Sequence, residues 1–302
     1  MTPVTVRVPA KINLQLAVGP RRADGYHDLV TVYQAVSLYE EITVTPADSD
    51  SLAVTGVDRD KVPTDDGNLA LRAVAALRDA TMDASATSVH VKIAKHIPVA
   101  AGLAGGSADA AGALAACNEL WGTGLTPQQL CTVAAGIGSD VPFAVLGGTV
   151  VGRGRGEELT AALVPAAQYH WVLALANGQL ATPEVYATLD RLRAGQDVPA
   201  PALDPQLMTA LRAGDPVRVG KALSNDLQPA ALSLFPALRK TLEAGREFGA
   251  LGTLVSGSGP TCLFLSRSRE RALSLAASLS GAGVCRSVQV ASGPVPGASV
   301  LR

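Results

Sequence analysis

Between Pro98 and Asp109 the chain reads Pro-Val-Ala-Ala-Gly-Leu-Ala-Gly-Gly-Ser-Ala-Asp, directly after a strand-like run and directly before an alanine-rich segment without proline. The chemistry open to such a pattern is anion binding. The first turn of a helix leaves N–H groups without intrahelical partners and carries a partial positive charge, so a loop entering it can receive phosphate oxygens. Gly102, Gly105 and Gly106 lack the Cβ that would hold phosphates away and tolerate positive φ. Ser107 either caps the helix or offers its hydroxyl to a phosphate or a Mg²⁺ shell, and Asp109 either complements the dipole or reaches that metal. The competing reading is a glycine-rich turn that only caps a tightly packed helix. Small residues by themselves do not separate the two.

Other phosphate and catalytic signatures are missing. No Gly-Lys-Ser/Thr follows at Walker A spacing, and no Gly-x-Gly-x-x-Gly opens a helix. Gly152-Arg-Gly-Arg-Gly156 lacks the helix context and reads as a hairpin turn. There is no Gly-x-Ser-x-Gly elbow and no His-Glu-x-x-His, and the four histidines have no metal-ligand spacing, which argues against a hydrolase.

The elements that must position the loop follow from periodicity. Val4–Val8, Ile12–Leu16, Val30–Val36 and Ile42–Val44 read as strands, with a turn-rich stretch from Gly19 to Gly25 between two of them. Asn68–Leu77 has helical spacing and Ser88–Ile93 alternates as a strand into the glycine segment. Ala108–Trp121 is a helix, and Thr126-Pro127 starts another that ends near Gly136 or Gly138. Gly148–Gly152 and His170–Leu175 follow as strands, then helices broken around Pro199–Pro205. The end reads strand, strand, helix, strand through Gly252–Val255, Thr261–Leu265, Arg269–Leu279 and Ser287–Val290. Strands interspersed with single helices indicate an α+β architecture. Gly152–Pro165 is the expected boundary, giving lobes of residues 1–157 and 158–302.

Bulk properties predict a soluble globular chain. The 302 residues are 48% hydrophobic, and 25 basic against 26 acidic side chains give net charge −1, so no global field draws nucleic acid or an anionic membrane. Any anionic ligand must be gripped locally. Cys117, Cys131, Cys262 and Cys285 are widely spaced in mostly apolar stretches and read as reduced core residues. No leader pattern and no apolar run of roughly 18 residues is present, so a cytoplasmic location is expected.

The glycine segment closely resembles the central motif of the GHMP kinases. Pro9-Ala-Lys-Ile-Asn-Leu14 and Leu254-Val-Ser-Gly-Ser-Gly-Pro260 resemble the first and third motifs of that family, in the same order and across almost the whole chain. The resemblance implies a two-lobed fold, an N-terminal ribosomal-protein-S5-like lobe and a C-terminal ferredoxin-like lobe with the active site in the cleft between. It also implies ATP and Mg²⁺, with the metal carried mainly by the nucleotide. Arg22-Ala-Asp-Gly-Tyr-His27, Gly138-Ser-Asp-Val-Pro142 and Ser224-Asn-Asp226 resemble the branch that phosphorylates the 2-hydroxyl of a cytidine diphosphate-linked methylerythritol in non-mevalonate isoprenoid synthesis.

On that resemblance, Asp140 accepts the proton of the attacking hydroxyl and Lys11 pairs with it and neutralises developing charge. A lysine in an apolar strand needs such a partner if it is buried. Asn13 follows at i+2, so in a regular strand it shares a face with Lys11 and can bind the erythritol part. Tyr26 and His27 resemble residues that hold cytosine, with Tyr186 of Thr182-Pro-Glu-Val-Tyr186 as the opposing ring.

Asn68 and Lys95 resemble residues lining the nucleotide pocket, Asn68 equally reading as a helix cap. Pro98, Gly102, Leu103, Ala104, Gly105, Gly106, Ser107 and Ala108 form the ATP loop, and Ser256, Gly257, Ser258 and Gly259 a second glycine loop beside it. Ser107 is a candidate metal ligand. One departure stands out: Ala100 and Ala101 occupy places where relatives often have glycine. The implied enzyme works on small molecules as a monomer or weak homodimer. A kinase for another small alcohol and a catalytically silent nucleotide-binding protein are the alternatives, which Tyr26, His27 and the Lys11–Asp140 pair argue against.

Overall fold

The computed structural model describes residues 2–81, 86–165 and 167–301. Two long antiparallel strands, β1 (Val4–Arg21) and β2 (His27–Pro46), open the chain and pair over nearly their full length. Four shorter strands were expected there. Register shifts at Pro9/Ala10 and Asn13/Gln15 bend the ladder without ending it, and β1 is buried on both faces from Val8 to Leu16, so its alternation is lost from the sequence.

The first lobe continues with β3 (Ser51–Gly56), α1 (Leu69–Thr81), β4 (Val89–Lys95), α2 (Gly105–Trp121), α3 (Pro127–Ala135), α4 (Val141–Leu146), β5 (Thr149–Arg153) and β6 (Glu158–Ala161). The second comprises β7 (Tyr169–Leu175), α5 (Thr182–Leu192), α6 (Pro205–Ala213), α7 (Pro216–Ala222), β8 (Ser224–Asn225), α8 (Gln228–Leu234), α9 (Leu238–Glu247), β9 (Gly252–Val255), β10 (Cys262–Ser266), α10 (Arg269–Gly281), β11 (Ser287–Gly293) and β12 (Ser299–Val300). β3, α4, β8 and β12 are too short or too weakly patterned to have been read from the sequence.

The larger sheet runs β12-β1-β2-β4-β3, with β5 also on β2, β6 on β5 and β8 parallel to β1. The smaller sheet is antiparallel in the order β11-β7-β10-β9, the ferredoxin-like arrangement of its β-α-β-β-α-β units. Gly152–Gly156 does lead into a hairpin, with Arg153 opposite Glu158. The boundary expected at 157/158 lies next to Glu158, the first residue of β6, which pairs with β5. β8 and β12 also return to the larger sheet, so the chain crosses between lobes more than once.

β7 shows why the lobes are not independent. Trp171, Leu173 and Leu175 join the main core with Ile12, Ile42 and Leu114, while Val172 and Ala174 face a second core with Leu242, Phe264 and Leu275. The alternation is that of a strand buried on both faces. Trp171 Nε1 donates to Gln34 Oε1 at 2.9 Å, and Gln34 donates to Thr149 Oγ1 at 3.1 Å, so a polar bond runs through the shared core. All four cysteines are free, and burial pushes the Cys117 thiol up to about 12. Among the described residues no helix is long and apolar enough to cross a membrane.

Candidate active site

A cleft of about 1370 Å³ lies where β1, the N-terminus of α2, the start of α4 and α5 converge. Lys11, on β1, is nearly buried and its ammonium lies 3.2 Å from Asp140 Oδ2. It also donates to Asn13 Oδ1 at 3.1 Å, and Asn13 Nδ2 donates to Thr31 Oγ1 at 2.8 Å. Lys11 and Asn13 thus share a face, and the strand neighbour β2 fixes the asparagine. Asp140 occupies the N-cap position of α4 but its side chain makes no capping bond, so the carboxylate is left facing the cleft. Tyr33, which sequence reasoning missed, packs its ring 5.1 Å from the ammonium. Burial first, and then the negative charge of Asp140, raise its phenol well above the usual value, which keeps it neutral.

The glycine loop enters α2 with three residues at positive φ: Ala100 (53°), Gly102 (75°) and Ala104 (58°). Alanine is disfavoured there, so two methyl groups are held in a conformation that glycine adopts freely. Gly102, Gly105 and Gly106 all line the cleft, and the missing Cβ also matters on their far side at the first two. A Cβ on Gly102 would meet the Gly259 backbone at 3.0 Å, and one on Gly105 would lie 3.1 Å from Lys95 Nζ. Those two glycines admit protein atoms, from the second glycine loop and from the core. Gly106 has ordinary room and is exposed to the cleft. Ser107 is the third helical residue rather than the cap, and it lines the cleft.

The second glycine loop is stitched to the first, Ser256 Oγ donating to Gly102 O at 2.9 Å. Gly257 passes close to Asn13 and Lys11, its hypothetical Cβ 3.3 Å from Asn13 Oδ1. Asn225 holds it there, donating to Val255 O (2.8 Å) and Gly257 O (2.7 Å). Ser258 hydrogen-bonds Thr182 at 2.9 Å, joining the loop to α5.

The far end of the cleft is aromatic. His27 is 6% exposed, its Nε2 lies 2.8 Å from Asp190 Oδ1, and its ring centroid is 5.2 Å from that of Tyr186. Burial, then Asp140, raise the Tyr186 phenol. Tyr26 is 54% exposed and carries the Arg155 guanidinium 5.0 Å from its ring. The ring touching Tyr186 is therefore His27, whereas Tyr26 stands on the rim with Arg155.

Several expected residues are not on the cleft wall. Asn68 caps α1, accepting from Ala70 N at 2.8 Å and donating to Pro63 O at 2.6 Å, as the helix-cap reading expects. Lys95 is 1% exposed, between Glu40 and Asp109, because a strand-end lysine facing inward has to be paired. Asp109 is likewise turned into the core, beside Lys95. Leu103, Ala108 and Ser256 are buried behind the loops, Pro98 lines a separate small recess near Asp58 and Arg286, and Gly259 packs below the second loop. Arg155 and Asp190 line the cleft and were not anticipated, the first hidden in a turn-like Gly-Arg-Gly-Arg-Gly, the second in an ordinary amphipathic helix.

Among the described residues no three Asp, Glu, His or Cys side chains gather as a metal site. Of the cleft carboxylates, Asp140 is paired with Lys11 and Asp190 with His27, while Glu157 faces Arg155. Ser107 is a cleft hydroxyl beside the free N-terminus of α2.

Comparison with known proteins places this geometry. Residues 68–148 match the GHMP kinases N terminal domain and residues 207–285 the GHMP kinases C terminal domain. Proteins of Streptomyces avermitilis and Thermobifida fusca, both named 4-diphosphocytidyl-2-C-methyl-D-erythritol kinase, are each 54% identical over 298 and 308 residues, covering 99% of this chain and 99% of theirs. A crystal structure of 4-(cytidine 5'-diphospho)-2C-methyl-D-erythritol kinase superposes with TM-score 0.76 at 32% identity, over 95% of this chain and 98% of that one. Homoserine kinase from Cytophaga hutchinsonii superposes at 0.75 with 20% identity, over 100% and 98% of the two chains, a likeness of fold.

Proposed function

The chain belongs to the GHMP kinases, and on that premise we propose how its cleft works. It phosphorylates the 2-hydroxyl of 4-diphosphocytidyl-2-C-methyl-D-erythritol with ATP, giving the 2-phosphate and ADP, a step of non-mevalonate isoprenoid precursor synthesis. The observation that carries the division of labour is the Lys11–Asp140 pair, 3.2 Å apart, set between the free N-terminus of α2 and the His27–Tyr186 rings in one cleft.

The N–H groups at the start of α2 hold the ATP phosphates, and Gly106 leaves them open to approach. Mg²⁺, when bound with ATP, supplies charge neutralisation on the phosphoryl oxygens, with Ser107 as its protein ligand. Asp140 takes the hydroxyl proton, a role that needs a carboxylate free of capping duty. Lys11 faces both the carboxylate and the place where the attacking oxygen must sit, and offsets the charge that spreads in the transition state. Asn13, fixed by Thr31, orients the polyol. Cytosine is held at the aromatic end, Tyr26 and Tyr186 offering ring faces and His27 an edge hydrogen bond that Asp190 orients. The enzyme works in the cytoplasm on small molecules as a monomer or weak homodimer, without nucleic acid or membrane partners, and the near-zero net charge supports the last of these.

A coupled ADP-release assay of the purified protein with Mg²⁺ and ATP tests the reading. Turnover is expected with the cytidyl substrate and not with free methylerythritol 4-phosphate, which lacks the base. Turnover of mevalonate or homoserine in place of the cytidyl substrate would overturn it.

A further inference from the structure

Behind the glycine loop the fold buries three charges that the transfer does not use. The Lys95 ammonium, at the end of β4, lies 2.6 Å from Glu40 Oε1 and 2.9 Å from Asp109 Oδ2. Glu40, on β2, is fully buried and also accepts from His96 N at 2.6 Å and Ile97 N at 3.2 Å, where the chain enters the loop. Asp109 lies just past the first turn of α2, where the loop ends, and its Oδ1 is buried with no hydrogen-bond partner. One side-chain cluster therefore ties together the two ends of the loop.

Its composition is odd for a structural strut. Where both carboxyls are ionised, at a pH above the Glu40 titration that burial raises to about 7, one ammonium against two carboxylates leaves a net negative charge away from water, and apolar side chains in place of buried ions are often neutral or favourable for stability. Its location is more telling. A Cβ on Gly105 would lie 3.1 Å from Lys95 Nζ, so the cluster sits directly under the first residue of the helix whose free N–H groups face the cleft. Charges there act on a bound phosphate through a single layer of backbone, in surroundings where screening is weak. Lys95 strengthens the positive end of α2, and the carboxylate of Asp109 weakens it.

We propose that Glu40, Lys95 and Asp109 form a positioning cluster that joins the two ends of the phosphate loop and, by its net charge, sets from behind how tightly the loop holds ATP and ADP. The proposal rests on the glycine loop being the nucleotide site. An excess of negative charge behind that loop favours release of the spent nucleotide over tight retention.

Calorimetry with Mg²⁺ and ADP on the intact chain tests it, because charge and mere structure predict opposite signs. With titrations run near pH 8.5 as well as below 6, Asp109→Asn and Glu40→Gln each remove a negative charge at the higher pH with shape nearly kept, because Glu40 is ionised above its titration at about 7. Each is expected to tighten ADP binding by on the order of tenfold, with KM for the alcohol substrate unchanged. Adding Lys95→Met to the double variant, where no unpaired carboxylate is left buried, is expected to weaken ADP binding relative to that double variant. If all these variants bind ADP more weakly than the parent chain, or all bind it equally, the proposal is overturned. Should one carboxylate variant fail to fold, the other carries the same test of sign. A parent chain that binds no ADP at all would remove the nucleotide reading itself, and the proposal with it, a result distinct from tight parent binding with uniformly weaker variants.

Discussion

Replacing Asp140 by Asn keeps the shape of the cleft and removes the proton acceptor. General-base removal costs roughly 10²–10⁴ in rate, so Asp140→Asn is expected to lose that much in kcat while calorimetric nucleotide affinity stays near that of the parent; unchanged turnover would take Asp140 out of the mechanism. Backbone conformation gives a second residue-level test. Ala100 sits at φ 53°, where an L-residue is strained by about 1–2 kcal/mol, partly offset in a glycine by its greater unfolded-state freedom. Ala100→Gly is therefore expected to raise the urea midpoint slightly. Gly102→Ala, at φ 75° with its new Cβ driven into Ser256 O and 3.0 Å from Gly259 O, is expected to lower both stability and kcat. At this scale Lys11, Asp140 and His27 could be found from the sequence because each belongs to a motif with a spacing. Lys95 and Asn68 could not be placed, since a sequence does not say which way a strand-end side chain turns or whether an asparagine spends its amide on a helix start. Tyr33 and Asp190 lie in unremarkable amphipathic patterns and become visible only when β2 and α5 are brought to the cleft.

Helix α2 illustrates what happens between residues and fold. Its alanine content predicts a helix, yet Gly112 interrupts it at a cost of about 0.5–1 kcal/mol in propensity. A Cβ there would come within 2.7 Å of Ile42 Cγ1, so the glycine lets the helix lie close against β2. Gly112→Ala is expected to destabilise by about 1–3 kcal/mol through overpacking and to raise KM for ATP, because a displaced α2 carries its N-terminus with it; differential scanning calorimetry and steady-state kinetics read the two effects. The strand joined to that helix gives a pH test. Burial raises the Glu40 carboxyl from 4.5 to about 7, against the opposing pull of Lys95. The folded chain then holds a proton there that the unfolded chain has released, so this contribution to stability is complete below about 4.5 and is lost as pH rises through 7. Unfolding midpoints should fall over that window more steeply for the parent than for Glu40→Gln, and parallel profiles would refute the assignment. The periodicity of most helices and of strands such as β4, β7 and β10 was readable, whereas β1 and β2 looked like fragments because bulges and burial on both faces erase the period-two signal.

At the level of the whole molecule the two lobes share one core through β7 and β10, and β12 closes on β1 with Val300 opposite Val6. A single cooperative thermal transition is expected rather than two. Removal of residues 294–302 is expected to speed amide exchange in β1 and β2 more than in β9 and β10, although the deleted segment follows the second lobe in sequence. The α+β class and the order of motifs were evident in the sequence, but the boundary was not, because the chain returns to its first sheet after the second one is complete. The Trp171–Gln34 bond has a mechanical consequence. With an indole hydrogen-bonded across the seam and β7 packed into both cores, any swing of one lobe against the other has to break that bond and separate close-packed side chains, so the cleft keeps its width by the same contacts that hold the molecule folded.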